Sequence, residues 1–240
     1  MRSDLRTARS WIALSLVAVA LRSTAPASAA PVAPPPTAAK VLAKYRAAMA
    51  VLPKPSNMIF TYSETRTGPT RIVSGLHRVY RDKDGNQRND TLAINDQPIR
   101  PPSTQTFQRA SWPYFADQFY VPPSDYDVKF AGMATVNGRR AYVYTTRRLT
   151  AAPFAIMQLA LDPATGLPLR ELFTVATSDC TGDGEIDFML VGTYVVPSAV
   201  SAQCTMSGTG QFKDAMRFSD YSFPAAIPAD VLRRSGASAG

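Results

Sequence analysis

The chain of 240 residues has one histidine, His77, and two cysteines, Cys180 and Cys204. A serine-type triad needs a histidine beside a nucleophile, and a structural zinc site needs about four Cys or His ligands, so both chemistries are poorly supplied. No apolar run reaches the roughly 18 residues of a membrane-spanning helix. Charged residues make up only 18% of the chain. The Gly-rich Ser207-Gly208-Thr209-Gly210 is not followed by Lys-Ser or Lys-Thr, so it is no phosphate-binding loop. These shortages point to a protein that is not an enzyme and needs no cofactor or resident metal.

What is present begins with an address. Arg2, Arg6 and Arg9 precede the apolar run 11–21, and small residues lead to Ala27-Ser28-Ala29. Charged start, short apolar stretch and small-residue exit read as a secretory signal peptide over 1–29, so the expected location is periplasmic or extracellular. Arg22, directly after the run, leaves an uncleaved anchor open. Removing 1–29 takes away four Arg and one Asp, leaving 22 basic and 17 acidic residues, a net of +5 in place of +8. In an oxidising compartment Cys180 and Cys204 are expected to pair, the alternative being two separately buried thiols.

Residues 30–36 are Pro-rich and read as an extended leader. Thr37 is then an N-cap candidate, and Val41, Leu42, Tyr45, Ala48, Met49 and Leu52 form one stripe of a helix that Pro53 and Pro55 end. Met58, Phe60 and Tyr62 alternate as on a half-buried strand. Turn chemistry recurs at Asp84-Gly85-Asn86, Asn95-Asp96, Asn137-Gly138 and Asp162-Pro163-Ala164-Thr165-Gly166. Runs at 185–196 and 210–223 read as two further strands. The pattern predicts an antiparallel meander in one domain, 37–233, with a disordered tail at 234–240. The exception is 105–120, where Phe107, Trp112, Tyr114, Phe115, Phe119 and Tyr120 crowd around Pro113; it reads as short helical pieces or a lid.

The helix leading directly into Phe60-Thr61-Tyr62 resembles the entry to the outer-membrane lipoprotein carrier superfamily, the LolA-like and LolB-like proteins. So does Leu159-Ala160-Leu161 running through Asp162-Pro163-Ala164-Thr165-Gly166 to Leu167-Pro168-Leu169-Arg170. The closing segment is similar as well, with Phe218-Ser219-Asp220-Tyr221-Ser222-Phe223-Pro224 followed by Ile227-Pro228-Ala229-Asp230-Val231-Leu232. This resemblance implies an α+β fold, an antiparallel β half-barrel (an incomplete barrel) wrapped around an N-terminal helix and a short lid segment. It also implies an apolar cavity for lipid or acyl chains.

On a concave apolar site the residues expected to line it are Phe60, Tyr62, Trp112, Phe115, Phe119, Tyr142 and Tyr144, with plain core packing as the alternative for each. The expected partner is lipid or an acylated lipoprotein, carried without chemical change by a monomer. The competing reading is an envelope interaction or stress-sensing protein whose cavity is filled by its own side chains. Arg78, Arg81, Arg88, Arg139, Arg140, Arg147 and Arg148 form either a surface for anionic membrane or a set of solvated strand residues. No nucleic-acid motif occurs.

Two acidic features need weighing. Residues 179–187 match five positions of a calcium loop, but the twelfth is Leu190 where a bidentate Glu belongs, so an acidic Gly-rich turn is the expected state. Asp125 and Asp127 form either a carboxylate pair or two solvated acids, and His77 reads as a strand residue without a nucleophile.

Overall fold

The computed structural model describes residues 37–107, 119–178, 180–206, 208 and 210–233. The expected signal peptide, leader and tail, together with Trp112 and Phe115, lie outside the described residues. Helix α1 spans Ala38–Val51. Thr37 precedes it in an extended conformation and accepts the first helical hydrogen bond from Val41 N–H at 3.1 Å, although its hydroxyl makes no cap. Val41 and Tyr45, one turn apart, are completely buried, as the stripe requires.

Eleven strands follow: β1 (Met58–Thr67), β2 (Ile72–Arg81), β3 (Gln87–Ile94), β4 (Gln97–Phe107), β5 (Tyr126–Val136) and β6 (Arg139–Arg148). Then come β7 (Phe154–Leu161), β8 (Pro168–Ala176), β9 (Thr181–Val191), β10 (Tyr194–Met206), β11 (Gly210–Ser222) and a single turn, α2 (Ala229–Leu232). The turns between them use the expected residues. Asn95, Asp96, Asn137, Gly138 and Gly166 all have φ between 48° and 78°, a region that costs Asn, Asp and Gly least. Asp82 accepts hydrogen bonds from the N–H groups of Asp84 and Asn86 and so closes the β2–β3 turn.

All strands join one antiparallel sheet in the order β4-β3-β2-β1-β11-β10-β9-β8-β7-β6-β5. The edge strands β4 and β5 follow one another in the chain, so pairing them would close a barrel; the sheet stops short of that. Pro98, Pro101 and Pro102 lie in β4, an edge strand, and Pro101 and Pro102 fall between Pro98 and Ser103, where the pairing with β3 shifts register; edges and bulges are where a sheet tolerates proline. The incomplete barrel therefore follows partly from the chemistry of one edge.

Because directly opposed residues share a face, register tells which side chains meet. Gly75, Glu64, Met216, Val200, Ile186, Glu171, Leu159 and Tyr144 stand opposite one another in turn, from β2 across to β6. This is the inner face, on which α1 packs. Val41 and Tyr45 sit among Tyr142, Tyr144, Ile156, Leu159, Leu161, Phe173 and Ile186. A second cluster on the same face holds Met58, Phe60 and Val79 with Tyr62, Phe218, Tyr221 and Phe223.

Three expectations are corrected. The run 185–196 is two strands, split by a hairpin at Gly192-Thr193; apolar and β-branched residues flank the turn on both sides, and only Gly192, at φ 62°, marks it. Residues 181–187 are strand, not a turn: Asp183 accepts from the Gln203 amide at 2.7 Å, and Arg170 clamps Asp187 at 2.5 and 2.9 Å and Glu185 at 3.2 Å. Residues 105–107 of the expected lid complete β4. The Cys180–Cys204 disulfide forms, tying the residue before β9 to β10 with Cα atoms 5.6 Å apart. Among the described residues no helix is long and apolar enough to cross a membrane.

Candidate ligand-binding face

The turn 162–166 fixes how the helix meets the sheet. Asp162 accepts hydrogen bonds from the N–H groups of Ala164 and Thr165, both at 2.9 Å, and pairs with Arg139 at 2.5 Å. Burial alone would raise its pKa; the bonds from Thr165 and Ala164 and the Arg139 charge outweigh burial and lower it. Lys44 of α1 donates to the Ala164 carbonyl at 2.8 Å. A Cβ on Gly166 would lie 2.6 Å from the Tyr45 nitrogen, so only glycine lets the turn come this close to the helix backbone.

The interior beneath α1 is occupied by the chain itself, with the tyrosine hydroxyls engaged. Tyr45 accepts from Val121 N–H at 3.0 Å, Tyr144 donates to the Ala38 carbonyl at 2.7 Å, and Tyr126 accepts from Ile156 N–H at 3.2 Å. Glu171 lies in this interior, 1% exposed, with no hydrogen-bond partner for either carboxylate oxygen among the described residues. Burial pushes its pKa well above the ordinary value, favouring the neutral acid over the carboxylate.

Beyond α1, on β1, β2 and β11, the inner face changes character. Phe60 stacks on Tyr221 at 5.3 Å and meets Phe218 at 6.0 Å, while Tyr62 meets Phe218 at 5.8 Å. Tyr62 also stacks on His77 at 4.6 Å, and a Cβ on Gly75 would collide with the His77 ring. Tyr62, Phe218 and Tyr221 are only partly buried. Two residues along, the face turns polar. Arg66 binds Asp214 through two hydrogen bonds, 2.7 and 3.0 Å, and Glu64 at 3.2 Å. Burial pushes the Tyr62 pKa up to about 12, aided by Glu64 and opposed by Arg66.

Thr91 Oγ1 lies 3.2 Å from His77 Nδ1, and Glu64 lies 3.8 Å from Nε2, an arrangement that superficially suggests hydroxyl, base and acid. Its geometry does not serve attack. Glu64 is beyond hydrogen-bond reach and is engaged by Arg66, and Tyr62 covers a face of the imidazole. Burial lowers the His77 pKa, with Glu64 partly offsetting it. Asp125 accepts from Ser124 at 2.7 Å, and Asp127 pairs with Arg147 and Lys129 at 3.5 and 3.6 Å, so neither faces the other as an acid-base pair.

Of the residues expected to line a site, Phe60 and Tyr62 belong to the aromatic ladder. Tyr142 and Tyr144 are in the interior under α1, and Phe119 is there too, against Phe154, Phe173 and Phe188. Phe218, Tyr221 and Phe223 complete the ladder and were not anticipated as lining; their alternation was the available signal, but the pairing of β11 with β1 was not. The seven arginines fall into two groups in the strand order. Arg78, Arg81 and Arg88 are on β2 and β3; Arg139, Arg140, Arg147 and Arg148 are on β6, near the other end of the strand order. Arg88 is bound to Asp90 and to the Val231 carbonyl, and Arg148 to the Phe154 carbonyl and the Tyr126 ring.

No family model and no curated protein sequence matches this chain. Among solved structures it is similar to an outer membrane lipoprotein-sorting protein domain from Vibrio parahaemolyticus, at 14% identity and a TM-score of 0.47, covering 82% of this chain and 100% of the other. It is also similar to a LolA superfamily protein from Nitrosomonas europaea, at 10% identity and a TM-score of 0.41, covering 82% of this chain and 98% of the other.

Proposed function

We propose that this is an exported binding protein, non-catalytic and monomeric, that holds lipid or acyl chains against the aromatic part of its inner face. The observation that carries this reading is the ladder in which Tyr62, Phe218 and Tyr221, partly exposed, surround the buried Phe60, on strands whose apolar cluster, among the described residues, includes no α1 side chain. Phe119, Tyr142 and Tyr144 would then support the site from beneath α1, and Trp112 and Phe115 are candidates to cover it. Each acyl methylene buried there would contribute about 0.8 kcal/mol. Export is supported by the 1–29 pattern and by the disulfide.

A second reading, an envelope interaction or stress-sensing protein without a ligand, is favoured by the filled interior under α1 with its satisfied tyrosine hydroxyls. Organic extraction of the protein purified from its export compartment, followed by mass spectrometry, separates the two. The binding reading expects co-purified lipid at close to one molecule per chain, reduced several-fold in a Tyr62→Ala/Phe218→Ala variant that still shows a cooperative thermal transition. Lipid-free native protein leaves the interaction reading standing.

A further inference from the structure

The two edges of the sheet differ chemically. β4 has prolines at 98, 101 and 102, each without a backbone donor, whereas β5 has no proline between Tyr126 and Val136. Among the described residues β5 has a strand on one side only, and such an edge is a template for one more strand. β5 also carries an apolar shelf. A bulge between Phe130 and Gly132 breaks the alternation, so that Phe130 and Met133, three apart, both face Tyr142 and Tyr144. Phe130 rests on those rings at 5.5 and 5.6 Å, yet it is 49% exposed and Met133 is 48% exposed.

Charge completes the description. Lys129, Arg139, Arg140, Arg147 and Arg148 lie on β5 and β6, against Asp127 and the nearby Asp162, which is taken by Arg139. On the outer face Lys129 and Arg147, with side chains 74% and 73% exposed, share the single carboxylate of Asp127. On the inner face an Arg140 Nη lies 3.5 Å from the Met133 sulfur, at the rim of the shelf.

We propose that β5 is a docking edge for an extended, acidic polypeptide segment of a partner protein. The segment adds a strand beside β5. Its alternate apolar side chains seat on Phe130 and Met133, and its carboxylates, pointing the other way, meet Lys129 and Arg147. Backbone pairing supplies affinity; the cation excess selects the partner's sign and speeds encounter. The shelf rests on Tyr142 and Tyr144, but Lys129 and Arg147 lie on the outer face away from the aromatic ladder, so their reversal tests docking apart from lipid binding.

The test uses the full protein and a fluorescein-labelled octapeptide alternating glutamate with valine, followed by anisotropy and by hydrogen exchange. Expected are binding that weakens with salt, slowed exchange within 126–136, and at least about tenfold weaker binding in Lys129→Glu/Arg147→Glu. The same weakening is expected in Phe130→Ser/Met133→Ser, whose changed side chains are already half exposed. Arg71→Glu, in the β1–β2 turn, should bind as the parent does. The proposal is overturned if a lysine–valine peptide binds equally, if the charge-reversed variant retains affinity, or if protection appears elsewhere. It is equally overturned if phosphatidylglycerol vesicles protect β5 and the peptide does not, which would make the shelf a membrane face.

Discussion

At the scale of the residue, Glu171 is the anomaly. It occupies a position between Leu159 and Ile186 where an apolar side chain belongs, and its carboxyl has no hydrogen-bond partner among the described residues. Its pKa is raised by burial in the folded chain, so the unfolded chain releases the proton first as pH rises. The stability Glu171 permits is therefore fully present below about pH 4.3 and is lost, at up to about 1.4 kcal/mol per pH unit, as pH climbs toward the folded-state pKa. Glu171→Gln should flatten urea midpoints measured between pH 5 and 8 relative to the parent. Parallel pH profiles for the two proteins would show that the carboxyl is ionised in the fold. Strand alternation finds the position, but a lone Glu in a strand reads as surface until the register and the helix above it are known. Gly166 is the converse case: its turn was legible in Asp162-Pro163-Ala164-Thr165-Gly166, and its contact with α1 was not.

At the scale of the element, helix and hairpins were readable because their signals are local. The stripe from Val41 to Leu52 and the prolines after it bound α1 closely, and Asn-Gly and Asp-Gly pairs marked the turns that form. The β9–β10 hairpin escaped because a single glycine interrupts an otherwise continuous apolar run, and β4, with three prolines among its first six residues, was not anticipated as a strand. The disulfide, with a sequence separation of 24, staples this hairpin across its open end. In the loop-entropy account such a link is worth about 3 kcal/mol, less whatever the hairpin already orders in the unfolded chain. Cys180→Ala/Cys204→Ala should lower the unfolding free energy by about 2–4 kcal/mol without changing the near-ultraviolet signal of the native protein. An unchanged urea midpoint would show that hydrogen bonding and packing alone hold β9 to β10.

At the scale of the whole molecule, the open sheet is a balance between near-closure and a blocked edge. β4 and β5 are neighbours in sequence and ends of one sheet, and β4 carries three prolines that lack backbone donors. Pro98→Val/Pro102→Val restores two backbone donors to this edge strand and should increase concentration-dependent association in sedimentation velocity. A variant that stays as monodisperse as the parent would show that strand twist, not proline chemistry, keeps this edge solitary. The amino-acid sequence by itself determined the antiparallel plan, the helix that must cover part of it and the cysteine pair, because periodicity and turn chemistry act over a few residues at a time. Only the tertiary structure decided which aromatics lie under α1 and which form the ladder beside it, that Glu171 is entombed, and that β1 pairs with β11. Those outcomes depend on register between strands up to about 160 residues apart in the chain, and no local signal encodes them.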